Sequence, residues 1–133
     1  MAKGSTAKAT VALAVALAIG GCGPVGGQSD EDQVSDAVTE LIEARNQRDF
    51  ARVCELISRQ QLEQFTRAGT SCEKSLPRIA QEGTTTTLRI EQVRVTGERA
   101  SVDATVSQTG GAGRAQTILL LKEEGDWKVA DVP

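Results

Sequence analysis

The residues able to do covalent chemistry are three cysteines, Cys22, Cys54 and Cys72, in a chain of 133 residues that has no histidine and no tyrosine. Without imidazole there is no Ser-His-Asp or Cys-His nucleophile system, no histidine-ligated zinc and no general base with an ordinary pKa near neutrality. Cys54 and Cys72 are too widely spaced for a CxxC redox pair. The acidic run Asp30-Glu31-Asp32 lacks the loop glycine and further carboxylates of a cation-binding loop, so it reads as a solvated helix start. Asp103 alone among the acids sits well inside an expected strand, but in the phase opposite Ala100, Val102, Ala104 and Val106, which points it to solvent. On residue types, no catalytic group, metal site or cofactor is assigned.

The formal charge of −3 arises from 15 Lys and Arg against 18 Asp and Glu, and the only aromatics are Phe50, Phe65 and Trp127. The chain therefore lacks both the basic stripe and the stacking rings of a nucleic-acid surface, and no nucleic-acid partner is expected. The length suits one small domain.

Before any folded element comes an address. Lys3 and Lys8 precede the uncharged run Thr10–Ile19, too short to span a hydrocarbon core about 30 Å thick. Its end, Ile19-Gly20-Gly21-Cys22, resembles the bacterial lipobox, which implies a signal peptide over 1–21, cleavage before Cys22 and lipid on that thiol. Acylation with two or more chains, palmitate among them, would anchor the chain stably. The expected location is the extracytoplasmic face of the cell membrane, with membrane contact through Cys22. Residues 22–30, rich in glycine, read as a flexible tether, and 31–133 as a single domain. With Cys22 consumed, Cys54 and Cys72 remain as an even pair in an exported chain, and a structural disulfide is expected between them. A loop of about 19 residues closed this way stabilises by roughly 3 kcal/mol.

The folded part changes period once. Val34, Val38, Leu41, Ile42 and Arg45 form a helical stripe, begun at Ser29 or Asp30 and broken at Asn46-Gln47-Arg48-Asp49. Asp49 is placed to cap a second helix that turns Phe50, Val53, Cys54, Leu56 and Ile57 inward. Ser58 and Gln61 form a capping-box pattern for a third, which buries Leu62 and Phe65 and ends near Gly69. A weaker fourth turn, Cys72 to Ile79, is interrupted by Pro77. From Thr84 the period is two. Leu88 and Ile90 are out of phase with Val93 and Val95, which calls for a β-bulge at Glu91-Gln92. Strands follow over Ala100–Val106, around Ile118–Leu121 and from Trp127, with turns at Gly97-Glu98, Gly110–Gly113 and Glu123–Asp126. The run Ile118–Leu121 is apolar on both faces and suits a strand covered on two sides or one in a partner interface. Helices before an antiparallel meander make an α+β fold, with N-terminal helices packed on a bent sheet of about four strands.

The Ala-Arg-Asn-x-x-Asp helix break, the bent meander and the closing Lys122–Val129 segment with Trp127 resemble the nuclear-transport-factor-2-like (NTF2-like), ketosteroid-isomerase-like superfold, a cystatin-like cone. More narrowly, the chain is similar to small actinobacterial lipoproteins of that fold. The resemblance implies a concave apolar pocket, with Trp127, Phe50 and Phe65 as candidate lining, Trp127 reading first as a core or rim side chain that closes one end of the cone, and a small apolar ligand or an envelope protein as partner. It also implies pairing of two copies through the sheet. The isomerase branch uses an Asp base with Tyr and a protonated carboxylic acid as oxyanion donors. With no tyrosine here, the expected function is a lipid-anchored binding or interaction domain without catalysis. An isomerase- or cyclase-like enzyme using a pocket carboxylate such as Asp103 is the alternative.

Overall fold

The computed structural model describes residues 27–131, so the signal peptide, Cys22 and most of the tether expected from sequence lie outside the described residues. Helix α1, Asp30–Asn46, begins where Ser29 Oγ accepts the Asp32 amide at 3.2 Å, with three acidic residues in the first turn. Its buried face is the expected stripe, Val34, Ala37, Val38, Leu41, Ile42 and Ala44. The helix ends where Arg48 takes φ 59° and the Asp49 amide donates back to the Ala44 carbonyl at 2.9 Å, which satisfies a carbonyl left open by the last turn. Asp49 then caps α2, Phe50–Leu56, by accepting from the Arg52 amide at 3.1 Å.

Only half of the expected capping box forms at α3, Arg59–Arg67. Ser58 Oγ accepts the Gln61 amide at 3.3 Å, but the Ser58 amide donates to the Val129 carbonyl at 2.8 Å instead of to Gln61. That bond belongs to a parallel bridge between Ile57 and Val129, which ties the helices to the last strand. Leu62 and Phe65 are half-buried against the core rather than inside it. Helix α4, Cys72–Ile79, runs through Pro77 without a break. A proline costs a helix one amide donor, which matters less in a short surface helix whose first turn is capped by Ser71 and tied down at Cys72. The Cys54–Cys72 disulfide joins α2 to α4, with the two Cα atoms 5.9 Å apart.

The sheet is antiparallel in the order β1 (Thr86–Thr96), β2 (Arg99–Gln108), β3 (Arg114–Glu123), β4 (Asp126–Val129). The register slips between Ile90 and Gln92, so Glu91 is the bulge residue, and Leu88, Ile90, Val93 and Val95 all reach the inner face. Arg114, Gln116, Ile118 and Leu120 follow one another along that face on β3, and only the last two are buried. Strand β3 is covered on one side only: Leu119, on the outer face, is 50% exposed. Sheet neighbours flank β3 in the hydrogen-bonding plane, but the four helices all lie on the inner face. The core is α1 and α2 against β2, β3 and β4, closed at one end by Trp127. No helix among the described residues is long and apolar enough to cross a membrane.

Candidate functional site

An apolar chamber of about 220 Å³ lies among the four helices. Helix α1 supplies Leu41 and Arg45, α2 Phe50 and Val53, α3 Gln61 and Phe65, and α4 Leu76 and Ile79, with Ala80 just beyond. Each helix places its residues by the same rule. The chamber lies beside the buried stripe, so side chains three or four positions apart turn toward it, as Leu41 and Arg45, Phe50 and Val53, and Gln61 and Phe65 do. Ile79 stands at the rim, 63% exposed.

Arg45, in the last turn of α1, is shared with two further cavities. One, about 370 Å³, is walled by Thr86, Val106, Gln108, Arg114 and Gln116 of the sheet and by Gly111 and Ala112 of the β2–β3 loop. The other, about 260 Å³, lies under Asn46, Arg48 and Thr84–Thr86. Asn46 fixes this rim: its side-chain amide donates to the Thr86 carbonyl and its side-chain oxygen accepts the Thr86 amide, both at 2.8 Å. Thr85 and Thr109 are paired across the sheet edge beside it. The threonine run thus begins β1 and forms part of the vestibule wall. The Arg48 guanidinium lies 5.1 Å from the centre of the Phe50 ring, linking the vestibule to the chamber wall.

Of the three aromatics expected in a pocket, the fold brings Phe50 and Phe65 together and sets Trp127 apart. Trp127 is 5% exposed near the start of α1, where its indole N–H donates to Asp30, the Lys122 ammonium lies over its ring and a separate cavity of about 270 Å³ lies beside it. Asp103 is on the outer face of the sheet, held by Arg94 at 2.9 Å and by the Thr117 hydroxyl at 2.8 Å, away from every cavity described above. Two carboxyls are held below their usual range. Asp30 is lowered chiefly by the hydrogen bond from Lys122, and Glu91 by those from Thr105 and Arg89. Neither lines the chamber or the vestibule. Among the described residues no group of three or more cysteine, aspartate or glutamate side chains could hold a metal ion.

Arg45, Arg114, Gln61, Leu76 and Ile79 are functional candidates that sequence reasoning passed over. Arg45 had a signal, a cation four residues beyond Leu41 on the buried stripe. Arg114 and Gln116 had one too, since counting back by twos from Ile118 puts both on the inner face.

No family model matches the chain, and no curated protein matches it. Solved structures do. An NTF2-like protein of unknown function from Shewanella baltica aligns with a TM-score of 0.52 at 14% identity, over 74% of this chain and 86% of that one. A candidate dehydratase of the NTF2-like family from Streptomyces avermitilis aligns at 0.52 and 22% identity, over 75% and 90%. A candidate NTF2-like transpeptidase from Campylobacter jejuni aligns at 0.51 and 14%, over 78% and all of its own chain. At these identities the likeness is one of fold, and the fold of this chain is NTF2-like.

Proposed function

We propose that this chain is a lipid-anchored, extracytoplasmic binding domain that holds a small apolar molecule in the chamber between Phe50 and Phe65. The observation that carries the reading is the chamber's lining among the described residues: two aromatic and several aliphatic side chains, with Arg45 and Gln61 as the polar ones. Ligand sites are typically concave, mostly apolar and furnished with a few placed polar groups. The anchoring half of the proposal is supported by the export run and the lipobox-like Ile19–Cys22.

Catalysis of the isomerase kind needs a carboxylate or other base at the pocket. Among the described residues, no Asp or Glu lines the chamber or the two adjoining cavities, and Asp103 faces the other way. The dehydratase and transpeptidase names therefore stay with the proteins that carry them.

Two measurements test the proposal. Replacing Cys22 with Ser should release the protein from the membrane fraction and abolish labelling by a palmitate analogue; continued labelling would refute lipidation at Cys22. Titration of decanol into the unlipidated Cys22→Ser chain should raise its melting temperature by linkage. Val53→Phe, which fills the chamber, should remove that shift. An equal shift in the filled variant would place binding elsewhere.

A second reading concerns assembly. Leu119 is half exposed beside Leu121 on the uncovered sheet face, and pairing of two copies there would bury both. Light scattering across concentrations decides it, and a monomer throughout would refute it.

A further inference from the structure

Among the described residues, the side chains that line the cavities around the C-terminal end of α1 carry one sign of charge. The chamber and its two neighbours share or adjoin Arg45, Arg48 and Arg114, and no described Asp or Glu lines any of them. This is the reverse of the chain as a whole, whose formal charge is −3. It also contrasts with the groove on the disulfide side, where Glu55, Glu73, Glu123, Glu124 and Asp126 outnumber Arg59 and Lys128. The vestibule adds neutral hydrogen-bonding side chains, Gln108 and Gln116, on the same inner face as Arg114.

Resting on the chamber as a binding site, we infer that its ligand is an amphipathic oxyanion: an apolar body in the chamber, ended by a carboxylate group held in the arginine-lined vestibule. The chamber alone is small for a ligand site. Chamber and vestibule together reach the range of roughly 300–1,000 Å³ in which such sites fall. Guanidinium groups suit this head group because their planar donors match a carboxylate two-to-two and stay charged at any working pH. Acid-free walls matter as much as the cations, since a nearby carboxylate would repel the head group. Arg48 is held at a left-handed φ of 59°, a conformation that favours glycine. An arginine there keeps a cation above Phe50, at the join between the oily and the charged compartments.

The test compares three ten-carbon probes on the full chain carrying Cys22→Ser: decanoate, decanol and decyltrimethylammonium, each below its micelle concentration, by titration calorimetry. Decanoate should bind about ten- to a hundredfold more tightly than decanol, the gain expected of one or two charge-assisted hydrogen bonds, and the cation most weakly. Arg114→Gln, an exposed substitution outside the core, should weaken decanoate about tenfold and leave decanol unchanged; added salt should act in the same direction. Equal affinity for decanoate and decanol, or an Arg114→Gln variant that binds decanoate as wild type does, overturns the oxyanion inference while leaving the apolar chamber standing. Failure of all three probes to bind overturns both.

Discussion

Asp30 joins three elements: it opens α1, accepts from the Lys122 ammonium of β3 at 2.9 Å and accepts from the Trp127 indole of β4 at 3.4 Å. Its carboxyl is held below the ordinary aspartate range, first by Lys122. A depressed carboxyl pKa contributes stability that is present above the unfolded-state value and lost as pH falls through the folded one. Asp30→Asn should therefore lower the melting temperature at pH 7, and the gap from wild type should close at strongly acid pH. A gap that stays constant down to about pH 2 would show that the charge plays no part. Trp127 was legible in the sequence as a core-closing residue. Its partner Asp30 was legible only as a helix start, because the contact with Lys122 crosses 92 residues of chain.

Elements α2 and α4 share two features, the disulfide and the chamber wall. Phe50 and Val53 come from α2, Leu76 and Ile79 from α4, and Cys54–Cys72 holds the two together. The double substitution Cys54→Ala, Cys72→Ala should cost about 3 kcal/mol in the loop-closure account, lowering the melting temperature by on the order of 10 °C or more. It should also weaken ligand binding by loosening that wall. An unchanged melting curve under thiol reductant, with the thiols shown to be free, would contradict this role. The rim gives a second prediction. Asn46→Ala removes both bonds to the Thr86 backbone and should cost about 1–3 kcal/mol, read by denaturant unfolding. The bulge at Glu91, the caps at Asp49 and Ser58 and the four strands follow from periodicity and short-range chemistry, which is why they could be read in advance. The Ser58 amide's bond to Val129 and the continuous helix through Pro77 could not, since tertiary partners decide both.

Across the whole molecule, the two ends of α1 differ. Trp127 and the Asp30–Lys122 pair gather at its start, beside a polar cavity of about 270 Å³; the helical chamber and the arginine-lined vestibule lie at its C-terminal end. The fold class could be read from the order of elements, and the pairing of Phe50 with Phe65 from their inward positions. The arginine-lined vestibule could not, because it brings Arg114 of β3 to Arg45 and Arg48 at the end of α1, a segment far away in the chain. Filling the chamber with Val53→Phe should cost about 1–3 kcal/mol through overpacking, small enough for the fold to survive, and a folded melting transition checks this; Leu76→Phe is the alternative if it does not. The central claim, that the chamber is a ligand site, is tested most directly by native mass spectrometry of the full chain purified from its own membrane, wild type beside Val53→Phe. A small bound molecule is expected on the wild type and none on the filled variant; both proteins at their bare mass, or the same adduct on both, would rule the chamber out as the ligand site.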